Sequence, residues 1–316
     1  MANKILQALG YYKIKKHIKH RLFCNRLIRE DAAKKRSIQA EIMEMDGYQL
    51  FRSDDVSDII VSLTSYGVRV NDTLPYTLYS LLKQTRKPNR IVVWLDNINW
   101  DEEKLPPVLK KFKALGVEFY FVEDLRSYKK LIPALKMFPD NVIITVDDDW
   151  YYNKHLIEWF LDAYNESDKK TVFGSWAFSA AIDEKGYLPY SKWEEPKTND
   201  DHNNLSLIGC GGILYPPHIF DEVILNDKLF MELAPKADDL WFWAMEKRAG
   251  VGIKLIPNGR FGLHTAINRV EIYEPQKALG SLYYSNGVLG GNDAPFERLI
   301  SKYNLIPYEC DCENKA

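Results

Sequence analysis

At 316 residues, with 46% hydrophobic and 27% charged residues and a formal net charge of -2, the chain has apolar material for a sizeable core. That balance supplies no global charge excess that would call for nucleic acid as a partner. No stretch approaches the roughly 20 apolar residues of a membrane span, the start lacks a secretory signal pattern, and the four cysteines (Cys24, Cys210, Cys310, Cys312) include no C-x-x-C pair, so a cytoplasmic protein with reduced thiols and no structural zinc is expected.

The first 50 residues read as a helical, strongly basic extension whose first acid is Glu30. Tyr11, Ile14, Ile18 and Leu22 recur at helical spacing among Lys15, Lys16, Lys19 and Arg21. Two placements suit that pattern: a helix lying at the inner face of an anionic membrane, or one packed on the domain by its apolar stripe. From Asp58 onward, strands and helices alternate at short intervals. "DIIVSLTS", "RIVVWLD", "VEFYFVED" and "VIITV" are buried-type strands, and "TLPYTLYSLLKQT" carries a leucine stripe with Pro75 in its first turn. "YKKLIPALKMF" is expected to be helical around Pro133, and "HLIEWFLDAY" is helical too. Residues 177–206 are polar and irregular, the pattern of a long functional loop. "LIGCGGILYPP" reads as one strand with glycines, "DDLWFWAMEKRAG" as a helix ended by Gly250, "GIKLIPN" as the last strand and "ERLISKY" as a closing helix. Such alternation predicts an α/β fold with a mainly parallel sheet flanked by helices.

Ligands of open α/β sheets bind beyond the carboxyl ends of the strands, and there the sequence concentrates its chemistry. "VIITV" runs straight into Asp147, Asp148 and Asp149. One carboxylate would serve as a helix cap near His155; three adjacent ones are better accounted for by a divalent cation that offsets their repulsion. Hard oxygen ligands favour Mg²⁺ or Mn²⁺, which complete their shells with water and substrate phosphates. Asp96 closes the second strand, placed to accept from a nucleobase. Thr64, Ser65 and Arg69 follow the first strand with hydroxyls and a cation suited to a nucleotide. Lys129 and Lys130 could neutralise a diphosphate or be surface lysines.

The arrangement of "VSLTSYGVRV", "LYSLLKQTRKPNRIVVWLD", "YKKLIPAL", "VIITVDDDWYY", "GCGGILYPP" and "ADDLWFWAM" resembles the GT-A fold glycosyltransferases, and more narrowly the family-2-like enzymes of bacterial surface-polysaccharide synthesis. The resemblance covers about residues 58–265. It implies a Rossmann-like GT-A domain over 51–316, with a nucleotide-binding part at about 58–150 and an acceptor part at about 151–316. It implies transfer of a sugar from a nucleotide-sugar donor, a UDP-sugar foremost, to a saccharide or lipid-linked acceptor with inversion. Asp149 would then be a direct metal ligand, Asp147 or Asp148 would lie near the ribose, and Asp96 would recognise the base. Asp238 and Asp239, at a helix start, would match the acidic pair whose second member is the general base, with its pKa lowered by the helix N-terminus. An N-capping role is the alternative for that pair. His264 would be a late metal ligand, with Asp147 also on the metal. Gly211 and Gly212 would line the floor under the donor sugar, or form a bulge. Trp176 and Trp193 would stack on a sugar or belong to the core.

Two rivals remain at this level. A metal-dependent nucleotidyltransferase also places acids after a strand, although no phosphate loop of the G-x-x-x-x-G-K-[ST] type occurs. A non-catalytic nucleotide-sugar-binding subunit would not require the Asp238–Asp239 pair.

Overall fold

A computed structural model describes residues 2–45, 59–196, 204–257, 264–274, 285–286 and 290–307; the side chains of 2–15 and of His264 lie outside the described set. The strands are β1 (Ile59–Thr64), β2 (Arg90–Asp96), β3 (Glu118–Val122), β4 (Val142–Thr145), β5 (Trp150–Tyr152), β6 (Val172–Gly174), β7 (Ala177–Ser179), β8 (Ile182–Asp183), β9 (Gly186–Tyr187), β10 (Leu205–Leu207), β11 (Ile213–Tyr215), β12 (Ile253–Leu255) and β13 (His264–Ala266). The helices are α1 (Ala2–Glu44), α2 (Arg69–Asp72), α3 (Leu74–Leu82), α4 (Pro107–Ala114), α5 (Ile132–Met137), α6 (Leu156–Asn165), α7 (Asp227–Leu233), α8 (Asp238–Ala249), α9 (Val270–Tyr273) and α10 (Asp293–Tyr303).

Seven strands form the central sheet in the order β12-β6-β11-β4-β1-β2-β3. β1 pairs in parallel with β2 and β4, β2 with β3, and β6 with β12, while β11 runs antiparallel between β4 and β6. The 3-2-1-4 run is that of doubly wound sheets. With β11 turned against its neighbours, the architecture is the mainly parallel, Rossmann-like GT-A type expected from the sequence, preceded by the helical extension.

Alternation along β1 sorts the core into two layers. Ile59, Val61 and Leu63 pack with Leu74, Leu78, Leu109 and Phe112 on one face. Ile60, with Val92 and Trp94, faces Tyr128, Ile132, Leu240 and Trp243 on the other. Polar atoms on the second face are satisfied internally: Trp94 Nε1 donates to Ser62 Oγ (2.8 Å), and Ser62 Oγ donates to the carbonyl of Lys130 (2.6 Å). Both sheet faces are covered, so the strands read as near-continuous apolar runs.

Several sequence expectations change in detail. "LIGCGGILYPP" is not one strand. It divides into β10, which pairs with β7 outside the main sheet, a tight turn at Gly209–Gly211, and β11. Gly212 makes the break: its φ of 89° is the left-handed backbone that glycine adopts without strain. β12 is not the last strand, because β13 follows and pairs antiparallel with β5. Both are three-residue strands, too short for a periodicity signal. The region 177–206 holds β7, the β8–β9 hairpin and β10; residues 197–203 lie outside the described set.

The extension α1 packs on the domain through a different face from the one expected. Ile18 and Leu22 are exposed, whereas Cys24, Leu27, Asp31, Ile38 and Ile42 are buried. The side chains of Tyr11 and Ile14 fall outside the described residues. Asp31 anchors this packing by accepting from the backbone N–H (2.9 Å) and Nε (2.6 Å) of Arg269. Among the described residues, no helix is long and apolar enough to cross a membrane.

Substituting Asp31→Ala leaves the Arg269 N–H without its acceptor at a buried contact. It should lower stability by about 1–3 kcal/mol, read as an earlier urea midpoint at unchanged slope.

Candidate active site

The parallel strands β1, β2 and β4 deliver their carboxyl ends to one edge, where Ser65, Asp96 and Asp147–Asp149 gather. The centre of the cluster is a buried cation. Lys130, at the end of a tight helical turn over Arg126–Lys130, is 4% exposed. Its Nζ lies 3.1 Å from Asp147 Oδ1, 2.9 Å from Asp238 Oδ2 and 3.3 Å from Asp239 Oδ1. One ammonium thus joins the acids after β4 to the acidic pair in the first turn of α8. Burial disfavours its charge, but the carboxylates of Asp147, Asp238 and Asp239 outweigh that and hold its pKa well above the usual lysine value.

A second cation serves the other two aspartates. Arg69 Nη1 lies 3.1 Å from Asp148 Oδ1 and 2.8 Å from Asp149 Oδ2, and Ser65 Oγ donates to Asp148 Oδ2. Burial raises the pKa of Asp148 despite Arg69 and Ser65. Asp149 is pushed up to about 7 by burial, opposed by Arg69 and reinforced by Asp148, Asp147 and Glu271. Asp239 is likewise pushed up to about 6 by burial, against the pull of Lys130. The lowering anticipated from its helix N-terminus is therefore overridden by desolvation. Asp239 Oδ2 accepts from the N–H of Gly209 at 3.0 Å, while Asp238 Oδ1 accepts from Ser127 Oγ at 2.8 Å.

Not every expected residue joins this cluster. Lys129 is buried, and its ammonium pairs with Asp124, so Lys130 alone of the two faces the aspartates. Thr64 Oγ1 donates to the Trp94 carbonyl (2.8 Å), tying β1 to β2. Asp96 Oδ1 accepts from the N–H and Nδ2 of Asn99, both at 2.8 Å, which holds the turn after β2. The backbone of His264 pairs with Tyr152, three residues past Asp149; its side chain is outside the described set. Trp193 is core: it packs against Tyr190, Trp243 and Phe296 at ring separations of 4.8–5.4 Å. Trp176 is half-buried beside Gly211. Gly211 and Gly212 form the floor of the turn, where a Cβ on Gly211 would collide with Ser175 Oγ and one on Gly212 would press on Phe160 at 3.2 Å.

Tyr152 joins the cluster without a mark in the sequence, and Gly209, the first residue of "GCGG", takes a more specific part than the floor expected of that stretch. A Cβ on Gly209 would collide with Lys130 Nζ and stand 2.8 Å from Asp239 Oδ1, so the whole ion cluster packs on a bare backbone. The Tyr152 hydroxyl accepts from the N–H of Asp147 (2.9 Å) and lies 3.0 Å from the Cys210 carbonyl, lacing the aspartate loop to the glycine turn. The only sequence signal for Tyr152 is its place in "DDDWYY"; for Gly209 it is the first position of "GCGG".

The donor set suits a hard divalent ion. Among the described residues, Asp147 and Asp149 each keep one carboxylate oxygen not engaged by Lys130 or Arg69. The trio does not converge on one point, since its acids are divided between the two cations. Metal binding here would rest on those two oxygens and on ligand phosphates.

No family model matches the chain, and no curated protein does. Similar solved structures include S. aureus TarS 1-349 in complex with UDP, at 17% identity over 77% of this chain and 72% of that chain with a TM-score of 0.43. A CMP:2-keto-3-deoxy-manno-octonic acid synthetase complexed with CTP is similar at 12% identity, 71% and 98% coverage and a TM-score of 0.41. The UTP-bound UGPase from Acinetobacter baumannii is similar at 12% identity, 74% and 99% coverage and 0.37. Likeness this distant carries no function.

Behind Asp239, two turns along α8, Glu246 is buried with Oε2 unpartnered among the described residues. Burial pushes its pKa up to about 8, against the pull of Lys247, which is itself lowered to about 8. A folded-state pKa above the unfolded value means that the folded chain holds the extra proton. Its stabilising contribution is therefore complete below about 4.5 and is lost as pH rises through about 8. Between pH 5 and 7.5, where Lys247 stays protonated in both states, Glu246→Gln should flatten this loss by up to about 1.4 kcal/mol per pH unit. Urea unfolding of both proteins across that range is the measurement.

Proposed function

We propose that the protein is a metal-assisted glycosyltransferase that moves a sugar from a nucleoside-diphosphate sugar, a UDP-sugar foremost, to a saccharide acceptor. The observation that carries this is the Lys130 ammonium, which couples the acids after β4 to the pair on α8 across one crevice. In this reading a phosphate site and a base site would stand on the two sides of that ammonium.

Asp239 is the proposed base. It carries a pKa of about 6 and is ionised at neutral pH, and it would take the proton of the attacking hydroxyl as the new glycosidic bond forms. The bond from the anomeric carbon to the diphosphate breaks at the same time, and charge builds on the leaving phosphate. Among the described residues, Arg69 and Lys130 are cations placed to stabilise it. A divalent ion held by Asp147 and Asp149, with His264 as a further candidate, would act as a Lewis acid on the same phosphates. Ser65 and Arg69 fix the orientation of Asp148, while Asp96 and Thr64 shape the strand ends against which a nucleoside would lie. A lipid-linked acceptor reached through the basic extension is part of the same proposal.

Calorimetric titration with UDP, GDP, ADP and CDP, with Mn²⁺ and then with chelator, tests the donor site. One nucleotide should bind, need metal, and lose its binding in Asp149→Ala; binding indifferent to both metal and Asp149 removes the basis of the proposal. With a donor identified, Asp239→Asn should retain nucleotide binding and lower kcat by about 10²–10⁴-fold. In the unsubstituted enzyme, kcat should rise with pH through about 6 as Asp239 ionises. Formation of nucleotide sugar from a nucleoside triphosphate and a sugar phosphate would instead mark a nucleotidyltransferase.

A further inference from the structure

We propose that His20, Cys24 and Glu274 form a zinc-type metal site that fastens α1 to the segment behind the carboxylate crevice. His20 and Cys24 are four residues apart on α1 and so project from one face of it. Glu274, at the end of α9, meets them from the catalytic domain. His20 Nε2 lies 3.6 Å from Cys24 Sγ and 3.7 Å from Glu274 Oε1, and the three ligand atoms all lie within 4.8 Å of one another. A tetrahedral zinc ion with bonds of about 2.0–2.1 Å to nitrogen and oxygen and about 2.3 Å to sulfur sets N···S near 3.6 Å and N···O near 3.3 Å. His20 Nε2 already stands close to those separations from both of its partners.

Burial is graded across the trio. Cys24 is buried, Glu274 is half-buried and His20 is exposed, so an ion would be shielded on the thiolate side and reachable from solvent on the imidazole side. The fourth position would be left to water. Thiolate and imidazole donors separate this site chemically from the all-oxygen aspartates, which favour Mg²⁺ or Mn²⁺.

The surroundings make it a clasp. Phe23 meets Tyr273 edge-to-face at 4.9 Å, and Arg269 is held by Asp31 and Glu30. At its other end, the same segment bonds the active-site loop: Ile267 N–H donates to the Asp149 carbonyl at 2.9 Å. An ion at Glu274 would therefore hold down the far end of a strap that begins at Asp149.

The test is titration of the metal-free full chain with Co²⁺ under reducing conditions, following the thiolate-to-cobalt absorption in the near ultraviolet. One equivalent should generate the band, and Zn²⁺ should displace it. Cys24→Ser should abolish the band. Glu274→Gln and His20→Gln should weaken binding by at least about 10–100-fold, the range lost when only an outer-shell partner is removed. Should Cys24→Ser fail to fold, these two variants at more exposed positions carry the test, with circular dichroism confirming their fold. Asp149→Ala and the double variant Cys310→Ser/Cys312→Ser should keep the band. Absence of a band in the unsubstituted protein overturns the proposal and leaves an ordinary hydrogen-bonded trio. A band that survives Cys24→Ser, or that disappears with Cys310 and Cys312, overturns it as well.

Discussion

A lysine ammonium sealed among three carboxylates is the constraint on which the rest of the site depends. Burying Lys130 alone would cost several kcal/mol, and burying Asp238 without a cation would be costly too, while Asp147 and Asp239 flank the pair half-buried. Each makes the other tolerable, and together they fix where α8 begins relative to β4. The lysine is itself positioned from the core: its carbonyl accepts from Ser62, whose hydroxyl is held by Trp94. Strand β1, strand β2 and the turn before α5 thus aim one charge, and the absence of a side chain at Gly209 leaves room for it.

The charge balance of the crevice is deliberately incomplete. Five carboxylates, Asp147, Asp148, Asp149, Asp238 and Asp239, face two cations, Arg69 and Lys130. Full ionisation would leave an excess of three negative charges at a partly buried site. Burial, opposed by Arg69 and Lys130, is the main cause of the raised pKa values of Asp148, Asp149 and Asp239, and neighbouring carboxylates add to it through that excess. Protons relieve it at low pH, and a divalent cation would relieve it at neutral pH while restoring the ionised form of the acids.

Much of this was legible in the sequence because it depends on strand ends. Apolar runs of four to seven residues marked β1, β2 and β4, and the acids directly after them had to share an edge once the sheet was parallel. What sequence could not supply was pairing across distance. Lys129 and Lys130 are neighbours with the same chemistry, and only the tight turn over Arg126–Lys130 sends one to Asp124 and the other to the aspartates. Gly209 acts through its own N–H on the Asp239 carboxylate, and Tyr152 through the backbone of Asp147 and of the distant Cys210, which leaves no pattern to read. The split of "LIGCGGILYPP" between two sheets was hidden for a related reason: both halves are equally apolar, and the turn is visible only in the φ of Gly212.

The extension shows how an amphipathic pattern can mislead about its partner. The stripe through Ile18 and Leu22 is conspicuous in sequence, yet the packed face runs through Cys24, Leu27, Asp31, Ile38 and Ile42. A buried aspartate on an apolar face is a poor sign for a membrane helix and a good one for a specific docking partner, because its carboxylate demands a defined hydrogen-bond donor. Arg269 is that partner, two residues past Ile267, whose N–H holds the Asp149 carbonyl. The extension is thereby joined to the carboxylates through a continuous stretch of backbone from Ile267 to Glu274. A helix attached in this way contacts, from behind, the segment that holds the aspartate loop.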